Sequence, residues 1–370
     1  MLYRPELDGI RGIALLAVIA CHTNAPLALG GWMAVDVFFV LSGYIITTLL
    51  IREFERTGDI RLGPFLWRRI LRVYPALVVV LLVGAFWFRY LGVEPTFRGY
   101  LRTAGAAAGY VQNFVWGFGG GELGKFGHTW SLAVEMQFYI IWPICLAALL
   151  RRGKRPLPWI GAGIAVSYLL MVLQSGEQGG HAFAPAYYLP WTRAWEILVG
   201  CGLAFVLAKR AMPDAGPESK PKGRWIGWAI AGFGGCWVLM GATYTIFVDS
   251  SYMIWQAPVI TLLAAGLITH LDRVHRYGVG RFLGWAPVAL LGLISYSVYL
   301  FHLPVMAVLR LKFHIIDPPE LFVITTPISI LLAALSYNLI ERPVREWGKK
   351  LIKPRRQPVA VSPDARTIPG

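Results

Sequence analysis

Charge is what this chain has least of. Only 15% of its 370 residues are Asp, Glu, Lys or Arg, where soluble domains carry about a quarter. Acidic residues are the scarcer kind, 20 against 35 Lys and Arg, giving a formal net charge of +15. Cysteine is sparse too: Cys21, Cys145, Cys201 and Cys236 all lie inside apolar runs, without metal-ligand spacing. They read as structural thiols and define no redox compartment. There is no solenoid-type internal repeat and no metal motif. The first apolar run lacks a small-residue cleavage site and holds an arginine, so it is expected to stay as a helix instead of being removed as a signal.

What the chain has in abundance is apolar surface. Hydrophobic residues make up 56% of it and the mean hydropathy is +0.55. Apolar runs recur near the ~20 residues that span a bilayer. The expected fold is an all-α polytopic membrane protein, a bundle of about ten transmembrane helices. The expected spans are 8–27, 32–51, 70–91, 128–150, 157–174, 189–208, 225–243, 253–270, 283–307 and 321–341. The stretch 100–118 is small and glycine-rich, and the positive-inside rule arbitrates its placement. If it crosses, Arg151, Arg152, Lys154 and Arg155 land outside. If it re-enters or stays on the outer face, every strongly basic loop falls on one side, leaving outside only Arg89, Arg98, Arg102, Lys125, Arg193, Arg310 and Lys312. The second arrangement is expected, with both termini cytoplasmic in a plasma (inner) membrane. Residues 1–347 form the transmembrane domain and 348–370 a basic, disordered cytoplasmic tail. Met212–Gly223 is expected to be a mobile inner loop. Basic residues set in short loops fit topology signals and anionic membrane lipids, not nucleic acid. The sequence assigns no oligomeric state.

Ionisable residues inside apolar runs mark candidate sites, because they are costly in a bilayer unless they face protein or a water-filled cavity. Arg11 and His22 lie on one face of the first run, about three turns and 16 Å apart. His22 is either a histidine bonded across helices or a general base, for which a pKa near 6.5 suits it. Asp36 and Ser42 open the second run, with Asp36 orienting another polar group and Ser42 and Gly43 permitting close helix approach. Arg68, Arg69 and Arg72 occupy adjacent positions of a helix. They are either a positive-inside anchor or a phosphate clamp, since arginine's fork grips phosphate bidentately. His128, Trp130, Glu135 and Tyr139 begin another span, with His128 and Glu135 on one face. Counting 1.5 Å per residue puts His22 and Glu135 at similar depth in the outer half. The Gly117–Gly127 stretch before them is a candidate outer lid without a phosphate-loop pattern. Arg193 and Glu196 form an i,i+3 brace. Tyr299 and His302 lie near the outer end of their span with structural or catalytic roles, and Glu341 reads as a helix-end brace.

Taken together these stretches resemble the acyltransferase-3 family of integral-membrane O-acyltransferases. The resemblance rests on Arg11 and His22 at Arg-x10-His spacing, Val35-Asp-Val-Phe-Phe-Val-Leu-Ser-Gly43, Arg69-x-x-Arg72, and His128-Thr-Trp-Ser-Leu-Ala-Val-Glu135 with Tyr139. It continues through Arg193-Ala-Trp-Glu196, Ser295-Tyr-Ser-Val-Tyr-Leu-Phe-His302 and Glu341-Arg-Pro343. It covers about residues 3 to 347.

The resemblance implies transfer of an acyl group, commonly acetyl, from cytosolic acyl-CoA to a hydroxyl of an extracytoplasmic glycan or lipid-linked saccharide. Acyl-CoA, with acetyl-CoA the expected form, is then the co-substrate, and no metal is expected. By the same carry-over His22 takes the catalytic position, Arg11, Arg69 and Arg72 the donor positions, and Glu135 the acidic one. An inner mouth of Arg11, Arg68, Arg69 and Arg72 would hold the coenzyme's phosphates, with Glu135 or Asp36 steadying the His22 imidazolium. A covalent acyl-histidine remains open. A transporter or flippase using the same polar lane, or a non-catalytic sensor or scaffold, are the other classes. The inverted repeats and paired broken helices of a transporter are not found in the sequence.

Overall fold

A computed structural model describes residues 3–25, 29–91, 96–119, 126–175, 183–208, 224–240, 252–274 and 277–351. Among them there are helices and no strand. In order these are α1 (Pro5–His22), α2 (Ala34–Thr57), α3 (Leu62–Leu91), α4 (Phe97–Ala108), α5 (Gln112–Gly117), α6 (Trp130–Arg151), α7 (Pro156–Ser175) and α8 (Phe183–Tyr188). There follow α9 (Pro190–Ala208), α10 (Arg224–Met240), α11 (Ala257–Val274), α12 (Val279–Leu283), α13 (Ala286–Leu293), α14 (Ser295–Lys312), α15 (Pro318–Ser336) and α16 (Arg342–Lys350). The loop expected at 212–223, residues 352–370 of the tail expected at 348–370 and residues 120–125 of the glycine-rich stretch lie outside the described residues, while 348–350 are not disordered but complete helix α16.

Seven continuous helical segments are long and apolar enough to cross a bilayer, and the pair α13–α14 makes up to eight. Backbone groups have no partner in lipid except one another, which is why a spanning chain of this composition is helical. Lipid-facing stripes are visible as apolar side chains left exposed at helical spacing, Val78, Leu82 and Phe86 on α3 and Val166, Leu169 and Leu173 on α7. The remaining two of the ten expected spans fall short. Helix α1 ends at His22, five residues early, and carries Glu6, Asp8 and Arg11 in 18 residues. Helix α10 has 17 residues, and Ile226–Gly235 within it counts among the shorter apolar helices. The span expected at 283–307 is broken: α13 and α14 meet at Ile294 with a bend of 70°. The stretch 100–118 is two short helices interrupted at Tyr110, whose φ is +51°. At 1.5 Å per residue neither crosses a bilayer. Helix α3 runs unbroken through Pro75.

Contacts fix which helix ends lie together. Arg151 pairs with Asp59 at 2.8 Å, the Arg4 guanidinium donates to the Leu271 carbonyl at 3.2 Å, and Trp67 Nε1 donates to the Gly348 carbonyl at 3.3 Å. The start of α1, the α2–α3 junction and the ends of α6, α11 and α16 therefore share one end of the bundle, the basic end. His22, Asp36, His128 and Arg193 lie at helix termini remote from it.

Two close helix crossings set the rest. Helices α2 and α9 run parallel and touch at Gly43 and Gly200: a Cβ on Gly43 would sit 1.9 Å from the Ile197 carbonyl oxygen, and one on Gly200 2.1 Å from that of Val40. Helix α13 crosses closely over α1, and a Cβ on Gly292 would meet the Asp8 carbonyl oxygen at 1.7 Å. Only glycine permits these approaches, as in other membrane helix pairs.

Candidate active site

Five helices line a partly open cavity. Arg11 reaches it from α1, Ser42 and Phe39 from α2, Arg69 and Arg72 from α3, Ser131, Glu135 and Tyr139 from α6, and Ser295, Tyr296 and Tyr299 from α14. Arg69 and Arg72 are three residues apart and so point the same way. Arg68, one step round the helix, does not line the cavity. Its side chain is 45% exposed and pairs with Glu53 at 3.5 Å. Arg11 lies 3.4 Å from Asp8. The Arg69 guanidinium is stacked between Phe65 and Tyr139, 5.4 and 5.7 Å from the ring centres. Its buried Nε has no hydrogen-bond partner among the described residues. Three cations thus face one carboxylate, Glu135, across the cavity, and the wall as a whole is cationic.

Glu135 is held by two hydroxyls. Ser42 Oγ donates to it at 2.8 Å and Tyr139 OH at 3.0 Å. The Tyr139 hydroxyl also lies 3.2 Å from Ser42 Oγ. The i,i+4 spacing of Glu135 and Tyr139 gives that pair from the sequence, whereas Ser42 comes from another helix.

The second polar group gathers three histidines. His22 is the last residue of α1, His128 lies in the single turn Gly127–Thr129 that leads into α6, and His302 is on α14. His22 Nδ1 and His302 Nε2 are 3.1 Å apart, and the His128 and His302 ring centres 5.0 Å apart. His302 is fully buried and its Nδ1 lies 2.5 Å from the Tyr299 carbonyl oxygen. His128 is buried near the Tyr299 and Leu300 carbonyls, yet neither of its ring nitrogens makes a well-formed hydrogen bond among the described residues. Tyr299 joins the two groups: its hydroxyl donates to the His128 carbonyl at 2.7 Å and lies 2.9 Å from Ser131 Oγ. Both Tyr299 and Ser131 also line the cavity, while His22 does not.

The expected carboxylate neighbours of His22 are therefore elsewhere. Glu135 is engaged with Ser42 and Tyr139. Asp36 pairs with Arg193, which also meets Glu196 at 3.0 Å, and all three side chains are fully buried. Phe39, Trp130 and Tyr187 surround the Arg193 guanidinium at 5.1 to 6.0 Å. Trp130 thus belongs to this cage, and the triad binds α2 to α9. Glu341 accepts from Ser297 at 2.7 Å and Ser336 at 2.9 Å, bracing α14 against α15.

The sequence reading missed Ser131 and Tyr296. Ser131 stood four residues before Glu135, on the same face, and that spacing was the available signal. Nothing in the sequence pointed to the pairing of His22 with a histidine 280 positions away. Among the described residues no cluster of His, Cys, Asp and Glu is arranged to hold a metal ion.

Comparison with known proteins bears on what this arrangement is. The chain is 33% identical over 360 residues to the O-acetyltransferase OatA of Staphylococcus aureus (strain NCTC 8325 / PS 47), covering 94% of this chain and 58% of the relative. It is 31% identical over 369 residues to the peptidoglycan O-acetyltransferase OatA of Listeria monocytogenes serovar 1/2a (strain ATCC BAA-679 / EGD-e), covering 94% and 56%. A protein of Bacillus subtilis (strain 168) named putative peptidoglycan O-acetyltransferase YrhL is 32% identical over 361 residues, covering 94% and 55%. The chain thus spans a little over half the length of these relatives. No solved structure matches it. The sequence model of the acyltransferase-3 family, described as an acyltransferase domain, matches residues 4–338, and the chain belongs to that family.

Proposed function

We propose that this protein is a membrane-embedded O-acyltransferase that moves an acyl group, acetyl in the first instance, from cytosolic acyl-CoA to a hydroxyl of an extracytoplasmic cell-wall glycan. The observation that carries the reading is the cavity in which Arg11, Arg69 and Arg72 face one another between α1 and α3. A guanidinium cluster suits the phosphates of coenzyme A, whose thioester lies at the far end of a flexible arm. Relatives named as acetyltransferases of peptidoglycan support the acceptor class. The positive-inside rule supports cytoplasmic termini, with the basic end facing the donor pool.

In this scheme the arm rises past Glu135 toward Tyr299. His22 takes the acceptor's hydroxyl proton, the acceptor oxygen attacks the thioester carbonyl, and the departing thiolate recovers a proton from the His22 imidazolium. His128, whose ring nitrogens lack well-formed bonds, is assigned to the acyl carbonyl oxygen, where negative charge develops. Arg68 serves as a surface anchor outside the donor site. Residues 1–347 are assigned as the transferase unit and 348–370 as a cytoplasmic tail.

The test uses the full chain in liposomes with labelled acetyl-CoA and a soluble glycan acceptor. Loss of a general base lowers turnover about 10²–10⁴-fold, and His22→Ala is expected to fall in that range. Wild-type protein that neither transfers nor hydrolyses the donor overturns the enzyme reading. Activity restored in His22→Gln, which cannot take up a proton, overturns the base role. Comparing the mass of cell-wall glycans from strains with and without the protein identifies the acceptor.

A further inference from the structure

The hydrogen bonds around His302 have a direction that constrains His22. The Tyr299 carbonyl oxygen can only accept, so the nitrogen 2.5 Å from it, His302 Nδ1, must carry the proton. A lone pair there would face the oxygen's own lone pairs. A second proton, on Nε2, would make His302 a cation in a fully buried position, a cost that buried charges bear only with an opposite charge beside them. The candidate carboxylates are taken up elsewhere, Asp36 by Arg193 and Glu135 by Ser42 and Tyr139. His302 Nε2 therefore presents a lone pair. The atom 3.1 Å from it, His22 Nδ1, must be the donor in that contact. A neutral His22 with its proton on Nδ1 has its lone pair on Nε2.

We propose that His302 is a positioning residue that fixes His22 in the Nδ1–H tautomer, with the Tyr299 carbonyl as the fixed end of the chain. The inference rests on His22 acting as the base. It gives a neutral imidazole the task that a carboxylate performs in serine-hydrolase triads, where the third member orients the histidine and holds its tautomer. An uncharged orienter suits this place in the molecule: a carboxylate beside His22 would leave an uncompensated charge at membrane depth whenever His22 is neutral. During transfer His22 Nε2 gains the acceptor's proton, and Nδ1–H continues to donate to His302. The thiolate then removes the Nε2 proton and the starting tautomer returns without any ring rotation.

Two substitutions separate this role from simple packing. In His302→Gln the side-chain amide can place its oxygen where Nε2 was and donate its N–H to the Tyr299 carbonyl. In His302→Leu neither bond exists. Histidine-labelled (15N) full-length protein in lipid is read by solid-state nitrogen NMR, with His22→Ala assigning the His22 signals. Wild type and His302→Gln are expected to show a protonated Nδ1 and a bare Nε2 on His22, and His302→Leu a mixture of the two tautomers. Turnover should follow the tautomer: His302→Leu falls about 10–100-fold, the range typical when the group orienting a functional histidine is lost. KM for acetyl-CoA stays unchanged and His302→Gln retains most of the rate. A wild-type His22 carrying its proton on Nε2 overturns the proposal, as does a leucine variant with an unchanged tautomer and full turnover. If the leucine variant does not fold, the wild-type and glutamine spectra still decide. Transfer that survives His22→Ala overturns the base role instead, and the proton position on His22 Nδ1 then stands or falls by its own signal.

Discussion

Replacing Arg72 tests whether the cationic wall binds phosphate. Arg72 and Arg69 make no ion pair within the described residues, and Arg72 faces the cavity together with Arg11. A hydrogen bond to a charged group contributes about 1.5–3 kcal/mol. At 1.4 kcal/mol per tenfold change, Arg72→Ala should raise KM for acetyl-CoA by about 10–150-fold. Turnover at saturation should change little, because the contact is made equally in ground and transition states. Arg72→Lys should recover only part of the loss, since an ammonium cannot form the two-pronged contact. Arg68→Ala is the control: its side chain does not line the cavity and pairs with Glu53, and its KM should stay near that of the wild type. The decisive assay repeats the series with acetyl-pantetheine, a donor with the same thioester and arm but no phosphate. The penalty of Arg72→Ala should vanish with it. An equal penalty with both donors, or a fall in turnover with unchanged KM, would refute phosphate binding at this wall.

Removing Arg193 should unfold the protein, not merely inactivate it, because Asp36 and Glu196 would be left buried without their cation. Breaking a buried pair from one side costs about 3–5 kcal/mol, so Arg193→Met should lower the melting temperature in detergent sharply. Adding Asp36→Asn and Glu196→Gln should recover part of the loss, and no recovery would refute the account. Gly200→Ala forces a Cβ to within 2.1 Å of the Val40 carbonyl oxygen. Overpacking of this kind costs about 1–3 kcal/mol, measurable as a drop in melting temperature, whereas alanine at the open position Gly161 should be neutral.

Periodicity and depth were legible in the sequence, and azimuth was not. A rise of 1.5 Å per residue put His22 in the outer half of a span expected to run to 27, and in the structure the helix ends at His22 itself, the end remote from Arg4. It placed Arg11 nearer the basic end, where it lines the cavity. The i,i+3 and i,i+4 pairs within one helix, Arg69 with Arg72 and Glu135 with Tyr139, came out as read. What failed was the step from equal depth to contact. Glu135 or Asp36 was expected to steady His22, yet Glu135 bonds Ser42 and Asp36 pairs with Arg193. Which faces meet is set by the tight crossings at Gly43, Gly200 and Gly292, and a glycine in an apolar run names no partner. The break at Ile294 escaped for a related reason. Hydropathy over 283–307 is continuous whether the chain passes straight through or turns by 70°.

The same crossings explain how a chain so poor in charge keeps several charges among its helices. Permanent charges are handled in two ways. Asp36, Arg193 and Glu196 are packed against one another under an aromatic cage, which holds the helices together and admits no ligand. Arg69 and Arg72, together with Arg11, which lies 3.4 Å from Asp8, face a cavity lined among the described residues by one carboxylate, Glu135, an excess of positive charge that suits the proposed anionic donor. The histidine group is of a third kind. In the proposed arrangement its members are neutral, with His302 alone tied to the Tyr299 carbonyl, and the group lies remote from the basic end. In the proposed reaction positive charge appears there only while His22 holds the acceptor's proton. The cost of a cation at that depth then drives the proton onto the departing thiolate, which makes the neutral cluster a reason for fast return of the base instead of an obstacle to it.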